Sequence, residues 1–249
     1  MLIDSHCHLV NEDYNIDEII EKAKENDVKY LIVSGSERDD NKLNIKLLDK
    51  YDNIFLSAGY HPSMASSVTE DDYNFLEKCL MNDRVVAVGE IGLDYHYGKE
   101  DMEDQKELFR RQLDLAKKYN KPVVIHTRDA FLDTYNILRE YNLSGVIHCF
   151  SGSLEVAKQY LDLGYYLGIG GVVTFKNSKL KDVIKEIGLG RVVFETDSPY
   201  LSPIRGEKNE PGNVKLVCEF ISDLLGLSFD EVANITSNNV INLFRLNIR

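Results

Sequence analysis

The sequence predicts an α/β protein, a (β/α)8 TIM barrel with a metal site at the carboxyl ends of its strands. Short apolar runs typical of strands alternate eight times with helix-length amphipathic stretches along the 249 residues. Such alternation is typical of parallel strands joined by helical crossovers. The runs have similar length and spacing, and polar residues follow many of them, as expected where strand ends converge on one mouth. A doubly wound open sheet is the structural alternative.

The first predicted strand, Met1 to Ser5, leads directly into two histidines. The fourth, Val85 to Val88, ends at Gly89 and Glu90. The other six span residues 30–33, 54–58, 122–125, 145–147, 165–169 and 191–195. A glycine or a polar residue follows each run, which marks the strand ends.

Helical spacing of apolar residues predicts the intervening helices. In the first of them, Ile16, Ile19 and Ile20 fall on one face. Thr69 is a predicted N-cap with Asp72 at the capping-box position. The predicted helices span residues 17–26, 41–49, from 69 onward, 102–118, 130–140, 154–163, 180–187, 214–225, 229–235 and 238–246.

The composition predicts one cytoplasmic domain over residues 1–249, because no linker or shift in composition interrupts the alternation. No apolar run approaches the roughly 18 residues of a membrane span, and we recognise no secretory signal. The four cysteines form no C-x-x-C motif and are expected to be reduced thiols. They are Cys7, Cys79, Cys149 and Cys218.

The net charge of −12 excludes a protein that holds nucleic acid by a generally basic surface. If the protein acts on a polyanion, the attraction must be local, from metal ions and a few arginines beside the site. The alternative is that the acidity serves only solubility.

His6 and His8 lie two residues apart at the end of the first predicted strand. On an extended strand such residues point the same way, and Cys7 between them points to the other side. Two imidazoles on one side of a rigid strand form half of a transition-metal site.

Six residues at predicted strand ends are candidate metal ligands. They are His6, His8, Glu90, His126, His148 and Asp197. Four histidines and two carboxylates suffice for two divalent ions if one carboxylate bridges, and Glu90 is the predicted bridge. We expect one ion to be bound by His6, His8, Glu90 and Asp197, and the other by Glu90, His126 and His148.

This ligand set predicts metal-dependent hydrolysis. Two ions about 3.5–4 Å apart can clamp an attacking and a leaving oxygen and lower the pKa of a water. Asp197 is the predicted acceptor of that water's proton. Mixed nitrogen and oxygen ligands suit Zn²⁺, Mn²⁺, Fe²⁺ or Co²⁺, whereas Mg²⁺ prefers oxygen ligands. The sequence does not choose among these ions.

Five stretches resemble the signature motifs of the TatD family of metal-dependent deoxyribonucleases and occur in that family's order. They are Ser5-His6-Cys7-His8, Gly89-Glu90-Ile91-Gly92-Leu93-Asp94-Tyr95, Ile125-His126-Thr127-Arg128-Asp129-Ala130, His148-Cys149-Phe150-Ser151-Gly152 and Glu195-Thr196-Asp197-Ser198-Pro199-Tyr200-Leu201. The resemblance implies a TIM barrel, two metal ions and phosphodiester hydrolysis of DNA, often from single-stranded 3′ ends. It places the family's ligands on the same six residues.

The resemblance also places a family histidine near the scissile phosphate at His61. We therefore expect His61, with Glu90 and Asp197, to take part in catalysis. Residues 205–206 and 209–211 resemble the family's segment after the final aspartate. The stretch 202–205 looks shorter than in the family, which affects the expected substrate preference more than the chemistry.

Further side chains near the predicted mouth are candidates for substrate contact. Arg128 and Arg205 could each form bidentate hydrogen bonds to phosphate oxygens. For both, a surface ion pair is the alternative. Aromatic rings could stack on bases, and the candidates are Tyr60, Tyr95 and Phe150. Asp4 and Asp94 could orient metal ligands.

Two other functions remain open at the level of sequence. The same fold with a His-x-His opening also serves metal-dependent amide, lactone or phosphotriester hydrolysis. No lysine lies at a convincing position for a carbamylated bridge, and the arginines favour an anionic phosphate. A metal-binding protein without enzymatic activity is the other alternative, although no ligand position is missing.

Overall fold

The structure is a computed structural model that describes residues 1–9, 15–98 and 100–248. Two compact units are distinguished by their internal contacts. The first unit comprises Met1–Val33 and His148–Arg249, and the second comprises Ser34–Ile147. A single domain over residues 1–249 stays a prediction.

Parallel strands and their following helices build the first unit. Its elements are β1 (Leu2–Cys7), α1 (Ile16–Glu25), β2 (Val28–Ser34), α6 (Leu154–Asp162), β7 (Tyr166–Ile169), α7 (Leu180–Ile187), β8 (Val192–Phe194), α8 (Val214–Leu225) and α9 (Phe229–Phe244). In α7 the apolar Leu180, Val183 and Ile184 are buried at helical spacing, so the helix packs by one face. Strand β1 pairs in parallel with β2, and β7 pairs in parallel with β8.

The second unit repeats the same alternation. Its elements are α2 (Arg38–Lys50), β3 (Ile54–Ala58), α3 (Glu70–Leu80), β4 (Val85–Asp94), α4 (Met102–Tyr119), β5 (Val123–Arg128), α5 (Phe131–Leu138) and β6 (Gly145–Ile147). Strands β3, β4, β5 and β6 pair in parallel, each with the next. The predicted capping box at the start of α3 is confirmed, because the Asp72 carboxylate accepts from the Thr69 N–H at 2.8 Å.

The eight strands follow one another in the sheet in the order of the chain, from β1 to β8. Parallel strands in sequential order, with a helix between neighbours, are the arrangement of a (β/α)8 barrel. A doubly wound sheet reverses its strand order at a switch point, and this order contains no reversal. The open-sheet alternative is therefore excluded.

Several element boundaries differ from the prediction, and two of the differences are the largest. Strand β4 does not end at Val88 but continues to Asp94, so Glu90 lies within the strand. The helices predicted over 229–235 and 238–246 are the single helix α9. The helix continues through Thr236, whose hydroxyl donates to the Val232 carbonyl at 2.9 Å, so the side chain is satisfied inside the helix.

All four cysteines are free thiols, as predicted. Cys7 is fully buried, and its Sγ lies 3.7 Å from the Ile32 carbonyl oxygen. Among the described residues, no helix is both long and apolar enough to cross a lipid bilayer.

Candidate metal sites

Strand β1 delivers His6 and His8 to the same place, as the spacing predicts. Their Nε2 atoms lie 3.2 Å apart, while Cys7 between them is buried on the opposite side. His6 is fully buried and His8 is partly exposed. The alternation of side chains along an extended strand therefore directs both imidazoles into one pocket of the first unit.

Asp197 and His148 complete a group that we call the first cluster: His6, His8, His148 and Asp197. The Asp197 Oδ1 lies 3.5 Å from the Nε2 atom of each strand histidine. The rings of His6 and His148 stack with centroids 4.1 Å apart. Ligand atoms of His6, His148 and Asp197 all lie within 4.8 Å of one another, which is close enough for one ion.

Backbone hydrogen bonds fix the first cluster. The Asp197 N–H donates to the His6 carbonyl at 2.9 Å, and the His8 N–H donates to the Ser198 carbonyl at 2.8 Å. Asp197 has a left-handed φ of 55° and Cys149, directly after His148, one of 48°. Left-handed backbone is uncommon for residues other than glycine and clusters at functional sites.

The surroundings of Asp197 hold it in the charged form. Burial alone raises its pKa, but a hydrogen bond with His8 and the nearby imidazoles of His148 and His6 outweigh this effect. The pKa of Asp197 is therefore lowered, and the carboxylate is suited to bind a cation.

Asp4 supports this cluster through the backbone rather than through the imidazoles. Its Oδ1 accepts from the Thr196 N–H at 2.9 Å, and its Oδ2 accepts from the Thr196 hydroxyl at 2.6 Å. The same carboxylate accepts from the His6 N–H at 3.3 Å. Burial raises the pKa of Asp4 well above its ordinary value. Asp4 thus holds the backbone at His6 and at Thr196, the residue before Asp197. Its predicted role of orienting ligands would therefore act through the backbone.

Glu195 contacts the first cluster, and the sequence analysis did not single it out. Its side chain is fully buried, and Oε1 lies 3.7 Å from the His148 Nδ1 and accepts from the Cys149 N–H. Gly168 makes room for it, because a Cβ at that position would lie 2.3 Å from the Glu195 Oε2. The position directly before Thr196 and Asp197 is the only sequence signal for this role.

Within the second unit lies a group that we call the second cluster: His61, Glu90 and His126. Their ligand atoms lie within 4.8 Å of one another. The His126 Nδ1 lies 2.8 Å from the Glu90 Oε1, and the His61 Nε2 lies 4.0 Å from that same oxygen. The sequence analysis assigned His61 to the substrate, whereas the geometry also gives its imidazole the position of a metal ligand.

Asp94 orients His126 from the end of β4. Its Oδ2 lies 3.2 Å from the His126 Nε2, and its Oδ1 accepts from the His96 N–H at 2.9 Å. Burial alone raises the pKa of Asp94, but these hydrogen bonds and the imidazoles of His126 and His61 lower it overall. Asp94 therefore contacts the His126 imidazole directly through its side chain, as the predicted orienting role requires.

Buried glutamines of α4 hold the backbone beside the second cluster. Gln112 accepts from the Tyr60 N–H at 2.8 Å and donates to the Tyr60 carbonyl at 2.9 Å. Gln105 makes the equivalent pair of bonds with Asp94, both at 2.9 Å. The two glutamines are seven residues apart, so both lie on one face of the helix.

The structure separates the predicted substrate-contacting residues into two groups. Arg128 and Arg205 are exposed, which is compatible with contacts to a substrate. The prediction that Tyr60, Tyr95 and Phe150 stack on bases is wrong, because their exposed fractions are 1%, 8% and 5%. The Tyr60 hydroxyl donates to the Asp72 carbonyl at 3.1 Å and that of Tyr95 to the Asp133 carboxylate at 2.8 Å, so both rings face inward.

Both clusters have the donor chemistry of divalent transition-metal sites. Each combines imidazole nitrogens with at least one carboxylate oxygen, which suits Zn²⁺, Mn²⁺, Fe²⁺ or Co²⁺. The assignment of each ligand to a particular ion, including the bridging role of Glu90, stays a prediction.

Sequence and structure comparisons place the chain among known proteins. Residues 3–245 match the family model described as TatD related DNase. The chain is 44% identical over 255 residues to the uncharacterized metal-dependent hydrolase YabD of Bacillus subtilis, covering 99% of this chain and 100% of that protein. The crystal structure of YJJV, a TatD homologue from Escherichia coli K12, covers 98% of each chain with a TM-score of 0.93 at 32% identity.

The structural similarity confirms the predicted (β/α)8 TIM barrel fold class, and the family match confirms the resemblance that the motifs indicated. The chain belongs to the TatD-related DNase family of metal-dependent hydrolases.

Proposed function

We propose that the protein is a deoxyribonuclease that hydrolyses phosphodiester bonds of DNA with two divalent ions, removing nucleotides from single-stranded 3′ ends. The observation that carries the proposal is the pair of clusters described above, each a compact set of imidazole and carboxylate ligands. The family match supports phosphodiester hydrolysis as the reaction. We propose Zn²⁺ or Mn²⁺ as the ion, with Mg²⁺ as the alternative that the histidine ligands suit less well.

The ligand atoms define what each side chain contributes. In the first cluster, His6, His8 and His148 provide neutral nitrogens and Asp197 a negative oxygen. In the second, Glu90 provides the negative oxygen beside His126. When bound, the divalent ions supply charge stabilisation for a phosphoryl oxygen and lower the pKa of a water.

Three further roles belong to the chain itself. Asp197 directs Oδ1 toward the strand histidines, and we assign its Oδ2 to accept the proton of the attacking water. The Nδ1 of His61 lies 2.9 Å from the Ser63 hydroxyl. We assign the His61 Nε2, which lies 4.0 Å from the Glu90 Oε1, to contact a phosphoryl oxygen beside the second cluster. Arg128 and Arg205 bind further phosphates of the strand by charge-assisted hydrogen bonds.

The test is chelator-sensitive cleavage of single-stranded DNA labelled at either the 5′ or the 3′ end, with each divalent ion in turn. We expect stepwise shortening from the 3′ end, and loss of cleavage in the Glu90→Ala variant with the fold retained. Glu107→Ala is the matched control because Glu107 is an exposed glutamate of the same unit. Metal-loaded protein that cleaves no DNA with any ion would reject the proposal.

The alternative hydrolase functions are tested with the same preparation. Lactones, dipeptides and phosphotriesters are offered beside DNA under identical metal loading. Turnover of one of these neutral substrates without DNA cleavage would assign the site to that chemistry. Binding of metal with no turnover of any substrate would favour a metal-binding protein without enzymatic activity.

A further inference from the structure

Tyr97 carries the most exposed large apolar side chain among the described residues, with 85% of it accessible. It lies in the segment between β4 and α4, two residues after the buried Tyr95. The Arg128 guanidinium carbon lies 5.4 Å from the Tyr97 ring centroid, and the His96 ring meets it edge-on at 5.0 Å. Two neighbours thus position the ring while most of its surface stays accessible.

A cavity of about 410 Å³ connects this ring with the second cluster. Tyr97 and Gly98 line one part of the cavity, and His61 and Asp94 line another. Its volume lies within the range of about 300–1,000 Å³ that is typical of small-molecule sites. Because His61 belongs to the second cluster, a ligand in this cavity lies directly beside the proposed hydrolytic site.

The charges around the cavity limit what it can bind. Glu100 and Asp101 line it and would repel a phosphate group. A nucleobase carries no charge, and its exocyclic amino groups can donate to these carboxylates. Its flat face can also stack on an exposed tyrosine. Arg128 beside Tyr97 supplies a positive charge for the adjoining phosphate.

We propose that this cavity is a nucleobase subsite in which the terminal base of the DNA strand stacks on Tyr97. The phosphate attached to that nucleotide then faces His61 and the second cluster. This inference rests on the deoxyribonuclease function proposed above and specifies which part of the substrate the second unit binds.

Tryptophan fluorescence tests the subsite without requiring catalysis. The chain contains no tryptophan, so Tyr97→Trp introduces a single reporter that a stacked base would quench. We expect saturable quenching by dAMP and none by deoxyribose 5-phosphate, which lacks the base. Met81→Trp is the control because Met81 is 65% exposed at the end of α3. No quenching of the Tyr97→Trp variant, or equal quenching of both variants, would overturn the proposal.

Steady-state kinetics on single-stranded DNA provides the second test. Tyr97→Ala is expected to raise KM about tenfold because base stacking is lost, and Tyr97→Phe is expected to restore KM because the ring remains. An unchanged KM in the Tyr97→Ala variant would reject the subsite. Wild-type protein that cleaves no DNA, together with quenching of the Tyr97→Trp variant by dAMP, would reject the deoxyribonuclease function and support the subsite.

Discussion

At the scale of single residues, the side chain of Glu195 has the clearest consequence for metal binding. Its Oε1 faces the His148 Nδ1, so the His148 Nε2 is the nitrogen directed away from the carboxylate. A carboxylate behind a histidine ligand fixes its orientation and raises its basicity, and losing such a group costs about 10- to 100-fold in metal affinity.

We therefore expect Glu195→Gln to weaken divalent-ion binding at the first cluster by about tenfold. Glutamine retains the volume and an oxygen for the Cys149 N–H, but it lacks the negative charge beside His148. Isothermal titration of metal-free protein with Zn²⁺ or Mn²⁺ measures the change. Glu155→Gln is the control, since Glu155 is an exposed glutamate of the same unit. Wild-type affinity in a folded Glu195→Gln variant would show that Glu195 does not tune the ligand.

Six of the cluster residues were located because each follows or ends a predicted strand, and His61 was located by the family resemblance. Neither signal separated supporting residues from their neighbours. In the sequence, Glu195 is simply the polar residue at the end of a predicted strand. Only its burial and its contact with His148 in the structure distinguish it from other strand-end residues. Sequence patterns likewise did not distinguish buried from exposed aromatic side chains. Tyr95 is buried and Tyr97 is exposed, and this difference depends on the path of the loop rather than on residue type.

At the scale of secondary-structure elements, α4 has a second role besides covering the sheet. Its sequence is rich in lysine, glutamate and glutamine, which is typical of a solvated helix. Gln105 and Gln112 are nevertheless buried, and each forms a pair of hydrogen bonds with a backbone segment that carries a site residue. The helix thus sets the position of His61, next to Tyr60, and of Asp94.

Replacing Gln112 by leucine tests this role. The substitution keeps a similar volume but leaves the Tyr60 N–H and carbonyl without their partner. Unsatisfied buried polar groups cost about 1–3 kcal/mol each, so we expect Gln112→Leu, which leaves two of them, to lower the free energy of unfolding by roughly 2–6 kcal/mol. Urea denaturation of the metal-free protein measures it.

The control for this change is Gln159→Leu, because Gln159 is exposed on α6. A Gln112→Leu variant as stable as the control would mean that water or a shifted backbone replaces the side-chain amide. Loss of stability without any change in metal affinity would limit Gln112 to a structural role.

Element boundaries were predictable where propensity and packing agree, and they failed where tertiary hydrogen bonds decide. The extension of β4 to Asp94 depends on pairing with β5, where Asp94 lies opposite Arg128. The continuity of α9 likewise depends on burial of Thr236 and Ser237, whose hydroxyls find acceptors in the folded chain. Strand β5 and the Met1 carbonyl, which accepts from the Ser237 hydroxyl, are distant in sequence from the segments they contact, so local patterns do not predict these contacts.

At the scale of the whole molecule, alternation of strands and helices was sufficient to predict the fold class. Eight strands in chain order follow from short connections and right-handed crossovers. The net charge of −12 is the second property that concerns the whole molecule. An acidic protein repels DNA over its surface as a whole, so affinity must come from a few local contacts.

This charge predicts a shallow salt dependence for an enzyme that acts on DNA. His61, Arg128 and Arg205 are the proposed phosphate-binding groups, and each contact with a single strand contributes a slope of about −0.7. A plot of log kcat/KM against log salt concentration should therefore fall with a slope no steeper than about −2, at fixed divalent-ion concentration. Basic nucleic-acid-binding proteins with 6–10 contacts would give about −4 or steeper.

Charge-removing variants identify which contacts produce the slope. Arg128→Gln should make it shallower by about 0.7, because one phosphate contact is lost. Arg139→Gln should leave it unchanged, since Arg139 is an exposed arginine on the surface of the same unit and has no proposed contact with substrate. A slope of about −4 or steeper in the wild type would reveal a larger phosphate-binding surface. An unchanged slope in the Arg128→Gln variant would remove Arg128 from the substrate-binding residues.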